Sequence, residues 1–276
     1  MANDLRTPQQ LSEHYEIEKR LADRLRNAPK AERRSLYNVV YDELARRVPH
    51  HPMLTERLTP EQAAISVGNQ MRLLSRFLKM DSVFLELGPG ACAISLKVAE
   101  SVKQVYAVDV TSEFISTMEK PSNFHFALSD GCSVPVPAGG VSIAYSNQLM
   151  EHLHPEDALE QLQNIYRALQ RGGAYLCITP NRLTGPHDIS MYFDEVATGF
   201  HLKEYTISEL RTLFKTVGFS KLKFFVGGRG SYVAIPILFL VFIEKVLGAL
   251  PSGLSKRLAH AQPLRALLNI RILGEK

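Results

Sequence analysis

The chain has 276 residues, 45% of them apolar and 22% charged, close to the averages of globular domains. That excludes a disordered, collagen-like or coiled-coil chain and sets the expectation of one full α/β domain with additions. The net charge of +4 is too mild to argue for nucleic acid, and it is unevenly placed: +4 over 1–80, −7 over 81–220 and +7 over 221–276. Cys92, Cys132 and Cys177 form no C-x-x-C pair, and the N-terminus has no apolar signal core. A reducing, cytoplasmic setting without a disulfide framework is expected.

Residues 1–80 read as an N-terminal helical extension, or lid. Ile17, Leu21 and Leu25 share one helical face. In a second helix Leu36, Val39, Val40, Leu44 and Val48 keep helical spacing until His50, His51 and Pro52 break it. A third helical stretch has Ile65, Met71, Leu74 and Phe77 as its expected inward residues.

From residue 81 the period changes. The short apolar run at 82–87 reads as a parallel strand buried on both faces, and 104–110, 123–130, 141–147 and 174–181 read as the next four strands. Helices are expected between them near 91–102, 111–120 and 155–170, the last with Pro155 in its first turn. A helix at 207–217 opens on the capping box Thr206–Glu209 and stops at Gly218. Residues 219–227 and 268–276 supply a sixth and a seventh strand. This alternation predicts a doubly wound, Rossmann-like seven-stranded sheet, the last strand antiparallel, over 81–276.

Between strands six and seven, residues 227–267 read as an apolar and basic helical insertion. It holds the run Tyr232–Ile243, and then Lys256, Arg257 and Arg265. Twelve apolar residues fall short of the ~20 that span a bilayer. A buried helix and a helix lying in a membrane interface, using 232–266, are both open readings.

Strand one ends in Glu86-Leu87-Gly88-Pro89-Gly90, strand two in Asp109 and strand three in Asp130-Gly131. Glycines after a strand let the backbone turn and approach a ligand at the carboxyl edge, and a carboxylate ending strand two can accept both ribose hydroxyls. Gly88-x-Gly90-x-x-Ala93 also fits a dinucleotide fingerprint.

Segment 82–226 resembles class I S-adenosylmethionine-dependent methyltransferases, of the group that includes quinone-biosynthesis and natural-product enzymes. The matching pieces are FLELGPGACAI, VYAVDVT, FALSDG, IAYSNQLMEHLHPED, LQRGGAYLCITPNRLTGP and HLKEYTISELRTLFKTVGF, in family order. The resemblance implies S-adenosylmethionine as cofactor. It implies that Glu86, Gly88 and Gly90 line its methionine and ribose part, and that Asp109 holds the ribose hydroxyls. Val110 would pack on adenine and Asp130, with Gly131, would meet its amino group. Ser146 and Gln148 would border the sulfonium. Cys92 departs from the pattern, standing where many members have a third glycine.

Methyl transfer mainly requires a nucleophile in line with the S–CH3 bond, and an oxygen nucleophile must also lose a proton. His152, just after strand four, is the candidate base, since an unperturbed pKa near ~6.5 suits the task. Asn181, His187, Tyr192 and His201 are candidate acceptor-binding residues over the same edge. No His and Asp/Glu pair is read with metal-ligand spacing on one helix face, and His152 and His154 are two apart, so no metal is expected. Neither an amino-methylating nucleic-acid motif nor an aromatic-basic patch is present, so nucleic acid is not an expected partner.

The expected function is methyl transfer to an oxygen of a small-molecule or lipid-linked acceptor. An NAD(P)-dependent oxidoreductase and a catalytically inactive cofactor-binding subunit are the competing readings.

Overall fold

Short apolar runs become the strands of one sheet, and the amphipathic stretches between them cover its two faces. The computed structural model describes residues 4–55, 59–112, 115, 119–228 and 231–276, the side chain of residue 53 apart. In chain order the elements begin with α1 (Pro8–Asn27), α2 (Lys30–Arg47), the short α3 (Pro52–Thr55) and α4 (Pro60–Leu74). The central part holds β1 (Val83–Leu87), α5 (Ala93–Ala99), β2 (Gln104–Asp109), β3 (Phe124–Leu128), β4 (Val141–Asn147), α6 (Pro155–Ala168), β5 (Leu169–Thr179) and α7 (Ile207–Val217). The chain ends with β6 (Lys221–Gly228), β7 (Ser231–Ile235), α8 (Ile237–Gly248), α9 (Ser252–His260), α10 (Leu264–Leu268) and β8 (Ile270–Glu275).

Capping boxes start three helices: Thr7 with Gln10, Thr59 with Gln62, and Thr206 with Glu209, each pairing side chains with the free amides of the first turn. The sheet order is β3-β2-β1-β4-β5-β8-β6-β7. β1 to β5 run parallel, and β8 lies antiparallel between β5 and β6. One face carries Leu21 and Leu25 of α1, Val40 of α2, Leu162 of α6 and Phe214 of α7. The other carries Leu73 and Leu74 of α4 with Ile94 and Val98 of α5.

The sheet has eight strands, not the seven expected. The apolar run Tyr232–Ile243 is not one helix: its first residues form β7, which pairs antiparallel with β6 in the register Phe224↔Ile235. Pro236 has no amide hydrogen to continue the ladder, and it stands as N-cap of α8. The helical part of the insertion is therefore α8 to α10, packed around Leu247, Ala259 and Leu268.

Two expected inward residues face out: Ile65 is 64% exposed and Val39 43%. α4 is fully buried only at its end, at Leu73 and Leu74, while Val67 and Met71 upstream are partly buried against the same core and Ile65 lies off that face. β5 begins at Leu169, earlier than expected, because Leu169 already pairs with Val141 before the glycines shift the register. The helix expected over 111–120 lies largely outside the described residues. No described helix is long and apolar enough to cross a membrane.

Candidate active site

Strands β1 to β3 end side by side, so residues at their ends line one cavity at the carboxyl edge of the sheet. Gly88, Asp109, Val110, Ser129, Gly131, Leu149 and His152 line it. Gly88 has φ +63°, and a Cβ there would come within 3.0 Å of Leu149 Cδ1, so only glycine turns the chain here without strain.

Asp109 anchors this edge. Its Oδ1 accepts the Val110 N–H at 2.7 Å and its Oδ2 the Gly90 N–H at 3.3 Å. Burial raises its pKa, and the amides partly offset that. Glu86, on β1, is buried and accepts Ser95 Oγ–H at 2.5 Å; burial pushes its carboxyl up to about 7. Asp130 is occupied by its own turn, accepting Ser133 N–H at 2.7 Å and Cys132 N–H at 3.0 Å, while Arg34 stands 3.5 Å from its Oδ2. Ser146 shares a buried hydrogen bond of 2.7 Å with the Tyr175 hydroxyl. Gln148 is exposed and holds φ +56°.

Gly88, Asp109, Val110, Gly131 and His152 thus meet around one cavity, while Glu86, Gly90, Asp130, Ser146 and Gln148 stand beside it rather than on its wall. The sequence reading missed Tyr37 and Tyr41 of α2, which also line it. They stand four apart, a spacing that also marks ordinary core residues, and they sit among core positions of the same helix. Tyr37 packs against Gly131, where a Cβ would lie 2.8 Å from its ring.

His152 differs from its expected protonation behaviour. Burial, followed by the neighbouring His201, pushes its imidazole down to about 3, so it is neutral at physiological pH and a weaker base than the sequence suggests. Its Nδ1–H donates to the Phe200 carbonyl at 3.2 Å. Its ring meets that of His201 edge to face, with centroids 4.8 Å apart.

His201 lines a second, open cleft of about 1200 Å³, together with Arg182 and Glu204 and with Leu250, Ser255 and Lys256 from the insertion. Burial alone would raise Glu204, but hydrogen bonds from His187 and His201 bring it down to about 2. Burial lowers the His201 imidazole, but the Glu204 hydrogen bond together with the nearby carboxylates of Glu151, Asp188 and Glu204 more than offsets it, so its pKa is raised.

The other candidate acceptor residues are spread apart. Asn181 is buried, and its Nδ2 donates to Glu244 Oε1 and the Leu268 carbonyl, each at 3.0 Å, so it clasps the insertion. His187 sits beside Glu204 at 3.2 Å. Tyr192 lies at the surface, its hydroxyl donating to Asp4 at 3.1 Å.

The expectation that no helix face pairs His with Asp or Glu at metal-ligand spacing is corrected by α1. His14 and Glu18 stand four apart there, 2.8 Å from one another, and His51 joins them. Arg6 lies against His14 Nδ1 at 2.5 Å, which makes that corner unfavourable for a cation.

Residues 84–173 match the family described as methyltransferase domain. A curated relative from Mycolicibacterium smegmatis, described as a probable S-adenosylmethionine-dependent methyltransferase, is 34% identical over 86 residues. That alignment spans 31% of each chain, so this chain covers less than a third of that relative's length. Among solved structures, phosphoethanolamine N-methyltransferase 1 of Haemonchus contortus, in complex with phosphoethanolamine and S-adenosylhomocysteine, superposes with a TM-score of 0.56 at 14% identity. That superposition covers 90% of this chain and 50% of the other. A SAM-dependent methyltransferase from Archaeoglobus fulgidus gives 0.52 at 18% identity, over 78% and 94%. At these identities the likeness is one of fold.

Proposed function

We propose that this chain is an S-adenosylmethionine-dependent methyltransferase acting at an oxygen of a small-molecule or lipid-linked acceptor. The observation that carries the reading is the meeting of Gly88, Asp109, Val110 and Gly131 around one cavity inside the segment that matches the methyltransferase domain.

Asp109 holds the ribose hydroxyls, Val110 packs on adenine, and Gly88 lets the backbone approach the cofactor. Glu86 stands at the methionine end. The sulfonium is already an activated leaving group, so the chain's work is to place the acceptor in line and exclude water. Neutral His152 has its Nδ1–H engaged by Phe200, which leaves the Nε2 lone pair to act on an acceptor hydroxyl, directly or through a bound cation. His152 lines the first cavity and His201 the second cleft, and their rings touch, so the second cleft is the acceptor's place in this reading. A nicotinamide-dependent oxidoreductase would need a proton-relaying pair such as Tyr with Lys, and no lysine stands among the cavity's lining residues.

Calorimetry with S-adenosylhomocysteine and with NAD tests the reading. Micromolar binding of the first and none of the second is expected; the reverse would overturn it. Turnover of S-adenosylmethionine with candidate acceptors then separates an enzyme from a subunit that only binds.

The acceptor's lipid character has its own support. α8 turns Leu238, Phe239, Phe242 and Val246 to solvent, the first and third 63% exposed, on the segment that carries the +7 charge. This face rests on an anionic membrane surface. Flotation with anionic vesicles is expected for the wild type and lost in a Phe239→Ser, Phe242→Ser double variant. Equal failure of both to float would remove the membrane contact. Point variants are preferred to deleting 232–266, because β7 belongs to the sheet.

A further inference from the structure

The two oxygens of Glu151 are treated unequally. Glu151 is fully buried. Oε2 accepts the Thr179 Oγ1–H at 2.8 Å, whereas Oε1 has no partner among the described residues. A buried polar atom left without a partner is costly, which marks this oxygen as aimed at something other than the fold.

What surrounds it is a set of donors. Glu151, His152 and His201 each offer one ligand atom, and the three atoms lie within 4.8 Å of one another. Both imidazoles are held from behind. His152 Nδ1–H donates to the Phe200 carbonyl at 3.2 Å, and His201 Nδ1–H donates to Glu204 Oε1 at 2.7 Å. With Nδ1 so engaged, Nε2 is the nitrogen each ring has left to offer, and a cation binds there in place of any proton. A carbonyl or carboxylate behind the far nitrogen is the arrangement that orients metal-ligating histidines. Glu204 is fixed in its turn by the His187 N–H at 2.7 Å.

We propose that Glu151, His152 and His201 form a binding site for a divalent transition-metal cation of the zinc class. Two imidazoles and one carboxylate suit Zn2+, which takes such sets and keeps a further position open, whereas Mg2+ and Ca2+ prefer all-oxygen shells. Bonds of ~2.1 Å place tetrahedral donors roughly 3.4 Å apart, so closing the site takes side-chain shifts of about an ångström. The cation supplies the partner that Glu151 Oε1 lacks.

Its place between the cofactor cavity and the second cleft gives it a task, and this part rests on the methyl-transfer reading. The acceptor hydroxyl takes the open position and, with its pKa lowered by the cation, loses its proton to solvent in the cleft. The oxygen then forms the new O–CH3 bond as the S–CH3 bond breaks, and the electron pair of that bond stays on sulfur, leaving neutral S-adenosylhomocysteine.

The test uses the full chain, stripped with a chelator and titrated calorimetrically with ZnCl2, with S-adenosylhomocysteine titrated in parallel. One Zn2+ per chain is expected, with visible d–d absorption when Co2+ replaces it. Glu151→Gln, which keeps the shape and can still accept from Thr179, and His201→Ala should each weaken Zn2+ binding at least tenfold, while His260→Ala leaves it unchanged. Absence of Zn2+ binding in the wild type, or equal binding in the Glu151 and His201 variants at unchanged melting temperature, would overturn the site. Loss of S-adenosylhomocysteine binding with Zn2+ retained would instead sink the methyl-transfer reading alone.

Discussion

Arg33 of α2 grips Asp157 of α6 with two hydrogen bonds, Nε to Oδ2 at 2.7 Å and Nη2 to Oδ1 at 3.1 Å, and both side chains are out of reach of water. The Tyr37 hydroxyl donates to the same carboxylate at 2.7 Å. This strap fastens the N-terminal extension to the sheet domain. Removing one partner of a buried pair strands the other, at a cost of ~3–5 kcal/mol. Arg33→Ala is expected to lose stability of that order in urea denaturation and to weaken S-adenosylhomocysteine binding, because α2 carries Tyr37 and Tyr41. A loss under about 1 kcal/mol, the range typical of surface pairs, would show that the strap is not what holds the extension.

Asp109 is the residue on which the cofactor reading turns. Hydrogen bonds to a charged group are worth about 1.5–3 kcal/mol, so Asp109→Ala should weaken S-adenosylhomocysteine roughly 10- to 100-fold. Calorimetry reads this directly, and circular dichroism checks that β2 survives. Unchanged affinity would take Asp109 out of the site.

Glu86 makes stability depend on pH. Its folded pKa, about 7, stands above the ordinary 4.5 because burial disfavours the anion. For a group raised on folding, the protonated form favours the folded state, so the contribution is fully present below 4.5 and lost as pH rises through about 7. At ~1.4 kcal/mol per pKa unit, the loss is roughly 3 kcal/mol. Denaturant melts of the cofactor-free chain between pH 5 and 8 should show this slope, and Glu86→Gln should flatten it. The same slope in the variant would assign the effect to another group.

Glu244 clasps the insertion to the domain. It is buried on α8, and its Oε2 accepts both the Ser208 amide and the Ser208 hydroxyl at 2.9 Å while Oε1 takes the Asn181 side chain at 3.0 Å. It is thus the anion at the N-terminus of α7. Glu244→Ala should raise hydrogen exchange across 237–268 while leaving β1 to β5 protected. Uniform exchange along the chain would mean that the insertion and the sheet open as one unit.

The parallel strands were legible because each is a short apolar run closed by a polar residue, glycine or proline, and their order gave the cavity its floor. β7 was hidden because hydropathy runs unbroken through Tyr232–Ile243, and only Pro236 marks the switch from strand to helix. Glu244 follows directly on an apolar run, and nothing local says that a carboxylate there meets a helix start contributed by a separate element. His201 and Glu151 lie far apart in the chain, and spacing arguments reach only a turn or two along one helix. Tyr37 and Tyr41 carry the pattern of core residues, and what sets them apart is that the core they face is hollow.

Tyr37 and Tyr41 make α2 part of the cavity wall, and the Arg33–Asp157 strap fixes that wall to α6. The bonds that shape one side of the cavity are therefore among those that resist unfolding. A variant that loosens them is expected to lose heat tolerance and the shape of the cavity together, so the two are not independent at that corner.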